Sequence, residues 1–179
     1  MQLVLRDGFL HLTVEDMTAH LHCSRATLYS IAPSRQQIVT ATIDQFFRDS
    51  ADAVTRTTRA EVTSSARLEA YLTAIRDQMQ RISRRCYDDM RAFGPTDAVY
   101  TTYAQLSIET VGRLIQAGVS DGSFRSLHAS FVSTAATVLI DGIMRGVFLE
   151  ASGISDGEAY SELGSLLLAA LGVPPLSGD

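Results

Sequence analysis

Residues 24–29 bring together side chains whose chemistry suits the edges and backbone of a DNA duplex. Arg25 offers a fork of donors to guanine, the methyl groups of Ala26 and Thr27 can meet thymine, and Tyr29 can reach a phosphate. Such groups must project from one short exposed helix, and the flanking residues read as that kind of support. Thr13 caps a helix whose Val14, Met17 and Leu21 face inward, and Ser24 caps a second with Leu28 inward, roughly three residues after the first ends. Two short capped helices joined so tightly describe a helix-turn-helix, with the second helix placed to enter the major groove.

Other groupings have plainer explanations. Gly118-Val-Ser-Asp-Gly122 matches the G-x-S-x-G elbow of serine hydrolases, but that motif needs a strand before its turn. Here it follows a helical stretch, so helix termination is the better account, and with no catalytic set found the chain reads as a non-enzyme. His20, His22 and Cys23, with Asp16 one turn earlier, lack the spacing of a four-ligand metal site, and no cofactor is expected. Asp141 and Arg145 stand four apart in an apolar helix and should pair with each other, leaving an anionic ligand as a lesser role for Arg145.

Two apolar sets carry more. Tyr71, Met79, Cys86, Met90, Phe93, Tyr100, Tyr103 and Leu106 lie on the middle helices and suit an adaptable, mostly apolar pocket for a small molecule, although ordinary core packing explains each of them as well. Near 126–151 the apolar residues cover more than one helical face. Phe131 and Val138 with the small Ala135, Gly142 and Gly146 would admit a second helix closely, and Leu163 and Leu167 make the last helix similarly rich. Pairing of both helices with their symmetry mates would form a four-helix dimer interface.

The elements that must carry these residues are helical throughout, because apolar residues recur at three- and four-residue spacing and no sustained alternation appears. Thr13-x-x-Asp16, Ser34-x-x-Gln37 and Ser155-x-x-Glu158 read as helix starts; Gly94-Pro95, Gly118 to Gly122 and Gly153 read as stops. The spacing predicts an all-α chain of roughly nine helices. A long one should begin near Arg35, followed by others near 65–83, 84–92, 96–117, 126–151 and 156–171.

The chain has 179 residues and a net charge of −5, which would ordinarily argue against a nucleic-acid partner. The distribution answers that objection: through Arg48 there are four Arg and four acids, so the whole excess of acid lies beyond. The opening MQLVLRDGF is no signal peptide, and the longest apolar region is interrupted by Asp141 and Arg145. A cytoplasmic chain with no membrane partner is expected, with Cys23 and Cys86 reduced.

Gly8, Thr13, Ser24, Leu28, Tyr29, Ser34 and Arg35 stand at the spacing of the TetR family, which this chain resembles. The resemblance implies a helix-turn-helix head at 1–48, its first helix reading as truncated because only MQLVLRD precedes Gly8, and a ligand-binding and dimerisation domain at 49–179. It implies a double-stranded DNA operator contacted by Thr13, Ser24, Arg25, Ala26, Thr27, Tyr29 and Arg35, a small-molecule effector, and a homodimeric repressor released from its operator by that effector. His22 replaces the usual turn glycine, at a cost of about 1 kcal/mol if the backbone there is left-handed. The rival reading is a helical small-molecule-binding protein whose DNA-binding head has decayed.

Overall fold

The computed structural model describes residues 1–172, so the end of the expected second domain lies outside the described residues. Among the described residues there are ten helices and no strands. In chain order they are α1 (Gln2–Asp7), α2 (Val14–Leu21), α3 (Arg25–Tyr29), α4 (Arg35–Ala60), α5 (Ser64–Met79), α6 (Arg84–Ala92), α7 (Gly94–Ser120), α8 (Ala129–Met144), α9 (Val147–Ser152) and α10 (Asp156–Ala170).

The starts read from sequence form as real caps. Thr13 and Asp16 make a reciprocal box at α2, as do Ser155 and Glu158 at α10, and the Ser34 hydroxyl accepts the Gln37 amide at 3.2 Å. Thr63 and Ser83 cap α5 and α6 without being anticipated, because Ala66 and Cys86 at the third helical position supply no reciprocal side chain. Gly94-Pro95 does end α6, but Pro95 also lies in the first turn of α7, where no backbone donor is needed. The stretch expected as one helix over 126–151 is two, since Gly146 takes φ 76° and separates α8 from α9.

The chain divides into two compact units, with the divisions falling inside α4 and α7 and between α5 and α6. One unit combines Met1–Asp49 with Arg81–Tyr103; the other combines Ser50–Gln80 with the described residues from Ala104 onward. α6 and the start of α7 thus group with the N-terminal helices. In the first unit, Phe9, Leu28, Ile43, Phe46, Tyr87 and Met90 are almost fully buried. In the second, Val54, Leu68, Tyr71, Val111, Ile115, Phe124 and Leu171 form the core.

Two charged side chains hold the loop between α1 and α2. The Asp89 carboxylate on α6 accepts the backbone N–H groups of Phe9, at 2.5 Å, and Leu10, at 2.9 Å. From α4, the Arg35 guanidinium donates to the carbonyls of Phe9, Leu10 and Leu12. Two backbone donors and three acceptors of the loop thereby find partners outside the helical ladders.

Candidate nucleic-acid interface

The head presents the expected side chains outward because its caps and one apolar anchor fix α3. Leu28 is 1% exposed and pins the helix, whereas Ser24, Arg25, Ala26, Thr27 and Tyr29 remain exposed. The Ser24 hydroxyl accepts the Thr27 amide at 3.0 Å and lies 2.9 Å from the Thr27 hydroxyl. At α2, Thr13 Oγ1 donates to Asp16 at 2.6 Å, and these bonds hold the Asp16 carboxyl below its ordinary pKa.

Between the helices, His22 adopts φ 50°, ψ 41°, and its amide hydrogen-bonds back to α2. The turn therefore keeps the left-handed geometry that glycine would favour, with a side chain carrying the strain. Cys23, partly buried, and Cys86, fully buried, are both free thiols.

Every arginine of the first 48 residues has an internal partner. Arg6 pairs with Asp7, Arg48 with Asp44, and Arg25 with Glu15 across the turn. Arg35, expected among the DNA contacts, instead turns inward to the loop carbonyls, which gives it a supporting position behind the α1–α2 loop. Glu15 was not anticipated: it precedes the capping Asp16, and nothing in its sequence neighbourhood marks a partner ten residues away.

The residues expected to line a ligand pocket fall in both units. Tyr71 lies in the second-unit core, its hydroxyl 2.8 Å from Ser107, and burial raises its pKa. Met79 is buried in that unit, Leu106 is half exposed, and Arg145 pairs with Asp141 at 2.8 Å as its spacing predicted. Cys86, Met90, Phe93, Tyr100 and Tyr103 belong to the first unit. Burial pushes the Cys86 thiol up to about 12. Phe93 meets Phe9 edge-on at 6.3 Å, and Tyr100 meets Phe47 and Tyr87 in the same manner.

Tyr103 stacks on Phe47 with centroids 5.3 Å apart and donates to Asp44 at 3.4 Å. Phe47 and Asp44 were missed as partners, because the helical spacing of α4 identified apolar faces but not what would cover them. A separate groove of about 160 Å³ lies between Glu69, Leu72, Thr73 and Arg76 of α5 and Tyr160 and Leu168 of α10, and none of the expected pocket residues lines it.

The expected dimer residues divide by exposure. Phe131 is 72% exposed and Val138 65%, two turns apart on α8, with Ala135 partly buried between them. Leu163 and Leu167 are buried within the unit, whereas Leu166 on α10 is exposed. Gly142 and Gly146 serve the α8–α9 corner: a β-carbon on Gly142 would meet the Phe148 ring at 3.3 Å, and Gly146 provides the left-handed turn.

No family model and no curated protein matches this sequence. Solved structures do. A protein described as a transcriptional regulator from Saccharomonospora viridis, in complex with choline, is 18% identical with a TM-score of 0.78, covering 93% of this chain and 90% of its own. A TetR-family transcriptional regulator from Streptomyces coelicolor is 20% identical with a TM-score of 0.70, covering 95% of this chain and 84% of its own. A tetR-family bacterial regulatory protein from Rhodococcus is 18% identical with a TM-score of 0.68, covering 95% of this chain and 91% of its own. The chain has the all-helical fold of these regulators.

Proposed function

We propose that this chain is a ligand-responsive, DNA-binding transcriptional regulator of the TetR type, acting inside the cell as a homodimeric repressor. The observation that carries the proposal is the head itself: α2 and α3 are both capped, their turn keeps the left-handed geometry, and Arg25, Ala26, Thr27 and Tyr29 project outward together. A decayed head would be expected to lose its caps or its Leu28 anchor, and both are present. Thr13 and Ser24 are exposed cap residues whose oxygens would lie near the duplex backbone in this reading.

The exposed Phe131 and Val138 of α8 and Leu166 of α10 support a second copy of the chain as the partner, since α8 and α10 pack on each other in one unit. Two heads would then occupy half-sites in successive major grooves. For the effector, the choline-bound relative makes an organic cation the first class to test.

The test is selection of duplexes from a random pool by the purified protein, followed by binding of Arg25→Ala to the enriched duplex. Loss of about 1–3 kcal/mol, with relaxed preference at one base pair, is expected if Arg25 reads a guanine. Equal affinity and an unchanged footprint for that variant would remove the assignment of Arg25, and failure of the wild type to enrich any duplex would remove the DNA-binding reading.

A further inference from the structure

We propose that Glu15 is a positioning residue for DNA recognition, bracing the Arg25 guanidinium so that it reads a base edge rather than pairing with any phosphate. The inference rests on the DNA-binding reading of the head.

Glu15 lies in the first turn of α2 but does no capping work, because the neighbouring Asp16 supplies the reciprocal bond to Thr13. Its carboxylate Oε1 reaches ten residues along the chain to Nη2 of Arg25, the first residue of α3. The pair bridges the two helices of the motif on its exposed side, with both side chains about two-thirds exposed. The bond engages one guanidinium nitrogen, so Nε and Nη1 keep their donors for another acceptor.

Two consequences follow from that geometry. An arginine tethered at one nitrogen loses less side-chain freedom when its remaining donors meet guanine O6 and N7, so correct recognition costs less ordering. Its charge is also met by a carboxylate, which weakens its pull toward phosphates that carry no sequence information. Both effects widen the gap between operator and unrelated DNA. They matter here because Arg25 is the one arginine of α3, the helix placed to enter the groove.

The experiment measures affinity and salt dependence for two duplexes, one enriched by the wild type from a random pool and one shuffled to the same composition. Glu15→Gln should lower the ratio of enriched to shuffled affinity by up to about fivefold, the ceiling set by an exposed ion pair. Its salt slope on shuffled DNA should steepen by about one phosphate contact. Glu15→Asp keeps the charge but shortens the reach by one methylene, and it should lower the ratio similarly. In an Arg25→Ala background neither substitution should change the ratio.

An unchanged ratio, with both duplexes bound more tightly by Glu15→Gln alone, would make Glu15 a bystander charge and overturn the proposal. Persistence of the effect without Arg25 would overturn it equally. Thermal unfolding of each variant shows whether the compared proteins are folded alike, and an effect that tracks the unfolding midpoint counts against the brace. If the wild type itself enriches no duplex, the DNA-binding reading falls and takes this inference with it; enrichment with a null cycle removes the inference alone.

Discussion

His22 pays for the geometry of the turn with its own side chain. At φ 50° an L-residue crowds its β-carbon against the following carbonyl, and the residue is the one non-glycine with positive φ among the described residues. His22→Gly should therefore raise the unfolding free energy by about 1 kcal/mol, less what glycine gains in the unfolded chain. Chemical denaturation of the two proteins measures this directly; a destabilised variant would mean that the imidazole makes contacts worth more than the strain. Arg35 teaches a different lesson at this scale. Its place in the sequence motif was legible, but its inward orientation was not, because no spacing rule says whether a guanidinium meets solvent or three carbonyls.

Among the elements, Gly118 shows why a glycine signal can be right about position and incomplete about cause. Its sequence context predicts a stop, yet α7 continues to Ser120 and the Phe124 ring folds back over Gly118, with the Phe124 amide donating to the Gly118 carbonyl at 2.9 Å. A methyl group at 118 would collide with that ring. Gly118→Ala should destabilise the protein by about 1–3 kcal/mol, in spite of alanine's better helix propensity, and a rise in the thermal midpoint would refute this packing account. Helix existence and cap chemistry were readable because both are local, as at Thr13–Asp16 and Ser155–Glu158. The break at Gly146 was not, since a single glycine in an apolar run is compatible with an uninterrupted helix. The candidate pocket was least legible: apolar spacing marks Tyr71 and Tyr103 alike as inward-facing, but cannot say that they join different units.

For the molecule as a whole, the distribution of charge and exposed apolar surface is more informative than either total. The net charge of −5 lies beyond a neutral head, and no described helix is long and apolar enough to cross a membrane. Phe131 and Val138 expose large apolar side chains on one helix, surface that a second copy would remove from water. In the proposed homodimer, Phe131→Arg should shift the protein from dimer to monomer in sedimentation, and weaken binding to an enriched two-half-site duplex at least tenfold by uncoupling the heads. A variant that stays dimeric would move the interface elsewhere.

The Asp89 and Arg35 clamp touches the α1–α2 loop through peptide groups alone. Because every amino acid other than proline offers the same N–H and carbonyl, this hold is indifferent to the letters it grips. The exposed side chains of Leu10 and His11 are thus free to drift under mutation while the loop keeps its course, with proline at 10 the exception because it would remove a gripped donor.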